Sequence, residues 1–328
     1  MSYNSIIIGL GNIGLLYDKE EFNIQDSYLT HTKALHYLDE FNLIAGVDIN
    51  KNNRKLFNSL TGKESYSSIL LLKDKIKKVD LCVISSPTYT HLSIIEEVLY
   101  YLNPSVILCE KPLSYNLLET EKIMQICKTK NTELFINFPR RLEKSVNIIK
   151  SKLINDSFIK GLVWYSNGMI NNGIHFIDLL SHLLGKSIEV YLLKINHIYR
   201  GQRNDFDIDF KIVYDKGEVY FLSSREDFFS NYKVEILSNN NRYIIDNNGF
   251  KSKLNRVIND PKYKGFKCLS SDEINIDNNL VTSITLVYDD ILNYLNNKTS
   301  ILNDQDKIKE VHSVLDELTK QTNEKISK

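Results

Sequence analysis

One lysine stands where an α/β protein commonly places its reactive groups. The run Cys109-Glu110-Lys111-Pro112 ends residues 105–109, an apolar stretch that predicts a buried strand. Ligands of open parallel sheets bind outside the carboxyl ends of the strands, so we expect Lys111 to face bound cofactor and substrate. The ordinary alternative is a solvated lysine at a strand end.

A glycine-rich turn follows the first strand, residues 5–8. Its sequence is G-x-G-x-x-G, and the residues expected to meet a cofactor there are Gly9, Gly11, Asn12, Ile13 and Gly14. In a dinucleotide site the first glycine permits the tight turn, the second lets the backbone approach a pyrophosphate, and the third lets a helix pack on the strand. The order strand, glycines, helix therefore predicts a dinucleotide site; the alternative is an ordinary glycine turn.

An acidic residue, Asp48, ends the second predicted strand, residues 43–47. A carboxylate there accepts hydrogen bonds from the adenosine ribose and repels a 2′-phosphate, which favours NAD over NADP. The polar residues 17–30 predict an inserted loop, which explains the long spacing in sequence between the glycines and Asp48. A lid over the cofactor is one interpretation of this loop. Arg54, with Asn50 and Asn53 beside it, leaves the use of NADP open.

Further polar groups end two other predicted strands. Ser86 and Pro87 follow residues 79–84, and a helix begins near His91. Pro87 is either a turn residue or part of the wall beside the nicotinamide. Arg140 and Arg141 follow residues 133–138; a guanidinium pair could bind an anionic substrate, whereas surface ion pairs are the alternative.

A second cluster of polar residues opens a helix predicted to start near Gly173. The apolar spacing of that helix leaves His175, Asp178 and His182 on another face, with His175 in the first turn, where a ligand can reach it. Metal ligation by this spacing is disfavoured because no further ligand of suitable type follows, so we expect no metal.

These groups need two kinds of scaffold. Alternating strands and helices predict a Rossmann fold, a doubly wound parallel sheet, in residues 1–120. Residues 121–328 predict an α+β substrate-binding and oligomerisation domain with a large open, mainly antiparallel sheet, in which turns such as Asp215-Lys216-Gly217 join hairpins. Two helices, near 280–295 and 304–319, close the chain.

Composition limits the classes of partner. In 328 residues, 41 Lys and Arg balance 41 Asp and Glu, so no global field favours nucleic acid. The first strand follows four residues with no apolar leader, and no apolar run has membrane length, which leads us to expect a cytoplasmic protein without a membrane partner. The four cysteines lack C-x-x-C spacing, which favours reduced, packed thiols. A small molecule is the expected partner.

Four motifs in order resemble those of the glucose-fructose oxidoreductase and inositol dehydrogenase family, Gfo/Idh/MocA. They are the three glycines above; Ser86-Pro87-Thr88 with His91, similar to T-P-N-x-x-H; Glu110-Lys111-Pro112, the E-K-P motif; and Asn171-x-Gly173-x-His175-x-x-Asp178, similar to D-x-G-x-H-x-x-D. The resemblance covers nearly the whole chain. It implies an NAD(P)-dependent oxidoreductase, Lys111 and His175 as the substrate-facing polar pair, and homodimers or homotetramers.

The resemblance also implies a reaction. Asn171 replaces an aspartate of many members and cannot accept a proton at neutral pH, so the role of base moves to His175, whose ordinary pKa of about 6.5 suits it. We expect cofactor contacts from the glycine turn, Asp48, Ser86, Pro87, His91, Glu110 and Lys111, and substrate contacts from Asn171, Asn172, Asp178, Arg140 and Arg141. The N-x-G-I-H version is similar to the branch that oxidises nucleotide-linked sugars for surface polysaccharides. The alternatives are an NADPH-dependent sugar ketoreductase and a non-catalytic dinucleotide-binding sensor.

Overall fold

The protein is described by a computed structural model that covers residues 2–24, 27–199, 205–246, 249–279 and 283–328. The chain forms two compact units. The first comprises Met1–Pro139 with Thr282–His312, and the second comprises Arg140–Val281 with Ser313–Lys328.

Helices are named α1 to α9 in chain order over the part of the chain that the structure describes. They are α1 (His31–Tyr37), α2 (Lys51–Thr61), α3 (Ile69–Lys73), α4 (His91–Tyr101), α5 (Leu117–Thr129), α6 (Lys144–Leu153), α7 (Ile174–Leu184), α8 (Ser283–Asn297) and α9 (Gln305–Ile326). The closing pair, α8 and α9, confirms the two helices predicted at the end of the chain, although Leu280 itself lies outside the described residues.

Strands are named in the same way over the same ranges. They are β1 (Tyr3–Ile8), β2 (Phe41–Val47), β3 (Glu64–Tyr66), β4 (Leu81–Ile84), β5 (Val106–Cys109), β6 (Glu133–Ile136), β7 (Ile159–Tyr165), β8 (Ser187–Tyr199), β9 (Asp205–Tyr214), β10 (Gly217–Ser223), β11 (Lys233–Ser238), β12 (Asn241–Asp246), β13 (Lys251–Asn259), β14 (Lys267–Leu269) and β15 (Ile274–Ile276).

The first unit contains a parallel sheet in the order β3-β2-β1-β4-β5-β6. Its central strands β4 and β5 are buried on both faces, which explains their uninterrupted apolar sequences. The order reverses direction at β1, and the ends of β1 and β4 form the crevice in which such sheets bind ligands. The Rossmann prediction is confirmed.

The boundary between the units differs from the predicted one at residue 120. Strand β6 pairs in parallel with β5, from Val106 opposite Glu133 to Cys109 opposite Ile136, so the first unit extends to Pro139. The prediction also missed β3, whose three residues Glu64–Tyr66 are too short and polar to give an apolar pattern.

The glycine turn does not lead directly into a regular α-helix, which agrees with the inserted loop predicted before His31. The chain forms turns and a 3₁₀ helix at Leu16–Asp18 before α1 begins. There the amides of His31 and Thr32 donate to the carbonyl oxygens of Ile13 and Gly14 at 3.1 and 3.0 Å. The inserted residues thus lie between the glycine turn and α1, and these two hydrogen bonds join the start of α1 to the turn.

A buried ion pair anchors the insertion. Asp18 and Lys33 are 2% and 1% exposed, with Nζ 3.5 Å from Oδ1. The other oxygen of Asp18 accepts from the amide of Leu29 and the hydroxyl of Thr30 at 2.9 and 2.7 Å. The described residues of the insertion are therefore tied to α1; residues 25 and 26 lie outside them.

The second unit is built on a large mixed sheet in the order β14-β13-β12-β11-β7-β10-β9-β8, with β15 paired to β13. The β7–β10 pair is parallel and the other pairs are antiparallel, so the prediction of a mainly antiparallel sheet is confirmed. Strands β13 to β15 were not predicted. No helix in the described ranges is long and apolar enough to cross a membrane.

Candidate functional site

The three motif glycines serve different purposes in the first unit. Gly9 has φ +94°, and a Cβ there would lie 2.6 Å from the backbone of Ser85. A Cβ on Gly14 would lie 2.2 Å from the carbonyl oxygen of Gly9. A Cβ on Gly11 would meet nothing within 4 Å. Packing therefore requires Gly9 and Gly14, whereas at Gly11 the backbone borders open space that a ligand can approach.

A cavity of about 440 Å³ borders this turn. Gly9, Gly11, Asp48, Ser86 and Pro87 line it, at the carboxyl ends of β1, β2 and β4. The size and the bare backbone suit part of a dinucleotide, with Gly11 at the pyrophosphate and Asp48 at a ribose. Of the predicted cofactor residues in the turn, Asn12 is exposed and Ile13 is half-buried.

The carboxylate of Asp48 is held in place by backbone amides. Oδ2 accepts from the amide of Leu10 and Oδ1 from that of Asn50, both at 2.6 Å. The guanidinium of Arg54 donates to the carbonyl oxygens of Asp48 and Ile49 at 2.7 and 3.0 Å. These contacts fix a negative charge in the cavity wall, which favours a free ribose diol over a 2′-phosphate.

Two histidines anchor the segment that carries Lys111. The ring of His91 lies 3.0 Å from the carbonyl oxygen of Ser86 and 3.1 Å from that of Leu113, and so links the Ser86-Pro87-Thr88 segment to the segment after the E-K-P motif. The amide of Leu113 donates to Nε2 of His312 at 2.9 Å. Burial lowers the pKa of both histidines, that of His312 to about 4, so His312 is neutral at pH 7 and accepts this hydrogen bond.

The side chain of Glu110 is held from two sides. Oε1 lies 2.9 Å from Nε2 of His31 and accepts from Nδ2 of Asn137 at 2.6 Å. Burial alone would raise the pKa of Glu110, but these hydrogen bonds and the positive charge of Lys111 outweigh it and hold the pKa below its ordinary value. Glu110 is thus an ionised carboxylate beside the half-buried Lys111.

In the second unit, Asn171 and Gly173 of the predicted motif lie on a single π-helical turn, Met169–Gly173, which runs into α7. His175 is the second residue of α7 and is half-buried, as are Asn171 and Asn172. The amide nitrogen of the Asn172 side chain donates to the hydroxyl of Tyr232 at 2.7 Å. The start of the helix therefore presents these groups at its first turn, as the sequence predicted.

Two buried aspartates of β9 hold this turn. Asp205 accepts from the amides of Ile170 and Asn171 at 2.8 and 3.0 Å, and Asp207 accepts from that of Gly168 at 2.9 Å. The prediction missed both because alternating Asp with Phe and Ile indicates a strand with one solvated face. Here both faces are buried, and the acidic face binds backbone amides.

Arg141 and Asp178 form an ion pair with side chains 1% exposed. Nε of Arg141 donates to both carboxylate oxygens at 2.8 and 2.9 Å, and Nη2 also donates to Oδ1. This corrects the prediction that Asp178 and Arg141 contact substrate, because both side chains are buried against each other. The sequence could not show that residues 37 apart pair in the interior.

Arg140 has a different environment. Its guanidinium carbon lies 5.1 Å from the ring centre of Phe176, and Nη1 lies 3.6 Å from Oε1 of Glu143. Burial raises the pKa of Glu143 to about 7, although Arg140 opposes the shift. Of the two predicted arginines, only Arg140, with a 15% exposed side chain, keeps a surface that an anionic ligand can reach.

Comparison with known proteins bears on both units. Residues 3–138 match the model of the Gfo/Idh/MocA oxidoreductase family, NAD-binding Rossmann fold. A myo-inositol 2-dehydrogenase of Thermotoga maritima is 23% identical over 56% of this chain and 55% of its own length. A glucose-6-phosphate 3-dehydrogenase of Bacillus subtilis is 28% identical over 38% of this chain and 35% of its own length. The alignments thus span about half or less of these relatives.

The fold similarity extends further than the sequence similarity. A UDP-N-acetylglucosamine 3-dehydrogenase from Acidithiobacillus ferrooxidans superimposes with a TM-score of 0.75, covering 96% of each chain at 13% identity. At that identity the likeness establishes the fold, a Rossmann sheet followed by a large mixed sheet. The family model matches the first unit, where the glycine and E-K-P motifs follow strands β1 and β5 as the sequence predicted. In sequence, the similarity to the Gfo/Idh/MocA oxidoreductase family, NAD-binding Rossmann fold, is thus shown for residues 3–138.

Proposed function

We propose that this protein oxidises a ring hydroxyl of a sugar, with bound NAD as the hydride acceptor. One observation carries the proposal. The glycine turn, Asp48, Ser86 and the Glu110-Lys111 pair follow β1, β2, β4 and β5, four neighbouring strands of one parallel sheet. A dinucleotide cradle and a lysine beside an ionised carboxylate thus share one sheet edge, where ligands of such folds bind.

The residues divide the chemistry between them. His175 takes the proton of the hydroxyl group as hydride leaves the same carbon. Lys111 donates a hydrogen bond or positive charge to the developing alkoxide. Asn171, which cannot take a proton at neutral pH, hydrogen-bonds the substrate. The roles of His175 and Asn171 rest on the motif they share with the family, and Asp178, which pairs with Arg141, supports the helix that carries them.

We propose a nucleotide-linked sugar, of the UDP-N-acetylhexosamine kind, as substrate and its 3-hydroxyl as the group oxidised. The similarity in fold to a UDP-N-acetylglucosamine 3-dehydrogenase supports this choice, and so does the N-x-G-I-H form of the motif. Arg140, whose side chain is 15% exposed, would contact an anionic group of such a substrate. Surface polysaccharide biosynthesis is the proposed setting.

We also propose a homodimer or homotetramer. Strand β8 lies at an edge of the large sheet and leaves Ile188, Tyr191 and Leu193 exposed by 61%, 42% and 44%. Exposed apolar groups of this kind commonly lie in interfaces. Light scattering should give a multiple of the 38.1 kDa chain mass, and a mass of one chain would contradict the proposal.

The test of the function is formation of reduced nicotinamide. Purified protein and NAD are mixed with UDP-N-acetylglucosamine, glucose 6-phosphate or myo-inositol, with and without a keto acid that reoxidises retained cofactor. We expect reduction with the UDP-sugar. Reduction only with glucose 6-phosphate or myo-inositol would support a dehydrogenase but contradict the proposed substrate class. Silence with all three, when NAD binding is confirmed by calorimetry, contradicts the proposed activity and favours the sensor or the NADPH-dependent ketoreductase.

A further inference from the structure

A chain of three buried side chains in the first unit ends at the carboxylate beside Lys111. The hydroxyl of Tyr288 on α8 lies 2.9 Å from Nδ1 of His31 on α1, and Nε2 of His31 lies 2.9 Å from Oε1 of Glu110. His31 and Tyr288 are 0% exposed, and the Glu110 side chain is 12% exposed. None of the motifs in the sequence contains His31 or Tyr288.

The hydrogen-bond pattern assigns the protons. Burial and then the charge of Glu110 raise the pKa of Tyr288 well above its ordinary value, so its oxygen keeps a proton to donate. The carboxylate of Glu110 can only accept, so Nε2 of His31 donates to it, and in the tautomer with its proton on Nε2 the Nδ1 atom accepts from the phenol. The three side chains therefore form one directed chain that ends on a negative charge.

Other groups face Glu110 from the elements packed around it. Asn137, after β6, donates to the same oxygen at 2.6 Å, and the amide of Lys111 lies 3.3 Å from the other oxygen. Lys111 contributes positive charge, while the thiol of Cys109 and the ring of His91 interact with Glu110 through the electrostatic field. Burial lowers the pKa of His91 and raises that of Cys109, so both are neutral near pH 7.

We propose that His31 and Tyr288 are positioning residues for the reaction: they fix the carboxylate of Glu110, which in turn keeps Lys111 as the ammonium ion that stabilises the alkoxide. This inference rests on the proposed function of Lys111. The chain segment before α1 helps to position His31. The amide of His31 donates to the carbonyl oxygen of Ile13 at 3.1 Å, which holds the start of α1 beside the glycine turn.

The first experiment is the pH dependence of kcat for the wild type, His31→Phe and Tyr288→Phe. Without His31 the carboxylate of Glu110 loses a hydrogen-bond donor and is held less firmly beside Lys111, so the ammonium ion gives up its proton at lower pH and activity is lost sooner as the pH rises. We expect the basic limb of His31→Phe to move down by up to about one pH unit, with a smaller shift in the same direction for Tyr288→Phe.

The control is His36→Gln, a half-exposed histidine on the same helix, which should retain the wild-type pH profile. The KM for NAD should change less than about twofold in all three variants, because none of the altered side chains lines the cavity beside Gly11. A lower kcat at every pH with an unmoved basic limb would show that the three buried side chains contribute only to packing, and would overturn the inference.

The second experiment needs no turnover. Urea unfolding of wild type, His31→Phe, Glu110→Gln and the double variant forms a double-mutant cycle. We expect His31→Phe to cost less stability in the Glu110→Gln background than in the wild type; equal costs would overturn the inference. If His31→Phe does not fold, Tyr288→Phe takes its place in the cycle. If the cycle shows coupling but the protein reduces NAD with none of the sugars, the proposed function and the role of Lys111 are overturned. If the cycle shows no coupling but the protein is active, this inference alone is overturned.

Discussion

At the scale of single residues, the proposed chemistry depends on two side chains whose surroundings differ. Lys111 follows a buried strand and has an ionised carboxylate beside it, a setting that favours a charged ammonium ion. His175 lies in the first turn of a helix whose preceding turn is held by Asp205 and Asp207. Both side chains are half-buried, so substrate can reach groups whose backbone is fixed.

Replacing either residue should remove most of the turnover. Lys111→Ala and His175→Ala should each lower kcat by about 10²–10⁴-fold, the usual contribution of acid–base or electrostatic help, and leave NAD binding nearly unchanged. Steady-state kinetics and calorimetry provide the two measurements. His182→Ala, two turns along the same helix, and Lys122→Ala, a surface residue, are matched controls that should keep wild-type kcat. Near-normal turnover in either test variant rejects its assigned role.

Cofactor preference should depend on the charge of Asp48. Asp48→Asn retains an oxygen that can accept from the amide of Leu10 but removes the negative charge. The preference for NAD over NADP should fall by about tenfold, since a pair of like charges a few ångströms apart at a protein surface is worth at least about 1 kcal/mol. Dissociation constants for both cofactors provide the measurement. An unchanged ratio would remove Asp48 from ribose recognition.

At the scale of elements, turns and short helices carry the functional groups, and neighbouring elements hold them. The glycine turn is fixed by Ser85, the segment after Glu110 by His91 and His312, and the Asn171 turn by two aspartates of β9. Each anchor is distant in sequence from the group it holds. Sequence patterns reveal the motif but not the anchor, because period and propensity describe only local neighbours.

Alanine at the motif glycines should separate folding from binding. Gly14→Ala places a methyl group 2.2 Å from the carbonyl oxygen of Gly9, so the free energy of unfolding should fall by about 1–3 kcal/mol. Gly11→Ala meets no neighbour within 4 Å, so stability should change by less than about 0.5 kcal/mol while NAD binding weakens. Urea unfolding and calorimetry on both variants test this. Equal losses of stability in the two variants, or wild-type NAD affinity in Gly11→Ala, would contradict the assignment of Gly11 to the pyrophosphate site.

The sequence predicted much of the fold, for reasons that the structure makes plain. The central strands of the Rossmann sheet are buried on both faces, so their apolar runs are unambiguous, and the glycine, E-K-P and histidine motifs follow strands or open helices as expected. It missed β3 because that strand is short and polar, and it assigned Asp178 to substrate contact because Arg141, its partner, is distant in sequence. The roles assigned to the site residues stay predictions.

At the scale of the whole molecule, buried neutral histidines make stability depend on pH. His312 has a pKa of about 4 in the folded protein, against about 6.5 when exposed, because burial disfavours its charged form. The unfolded chain therefore binds a proton at a pH at which the folded chain does not. Stability is lost as the pH falls from about 6.5 to about 4, and the pKa of His91 is lowered in the same direction.

The loss assigned to His312 should be about 3 kcal/mol across that range, since each pKa unit corresponds to about 1.4 kcal/mol. His312→Gln offers a matched variant, because an amide can accept from Leu113 and donate to the carbonyl oxygen of Ile308 without titrating. Its free energy of unfolding, measured with urea between pH 7 and pH 4, should decline less steeply than that of the wild type. Parallel curves would show that His312 does not contribute to acid sensitivity.

The proposed reaction transfers a hydride from a sugar carbon to the nicotinamide. The most direct measurement uses UDP-N-acetylglucosamine with deuterium at C3, incubated with the protein and NAD, followed by mass spectrometry of the reduced nicotinamide. The proposed function predicts reduced cofactor that is one deuterium heavier, from the wild type and not from His175→Ala. Unlabelled reduced cofactor, or none from a protein that binds both NAD and the UDP-sugar, would contradict it.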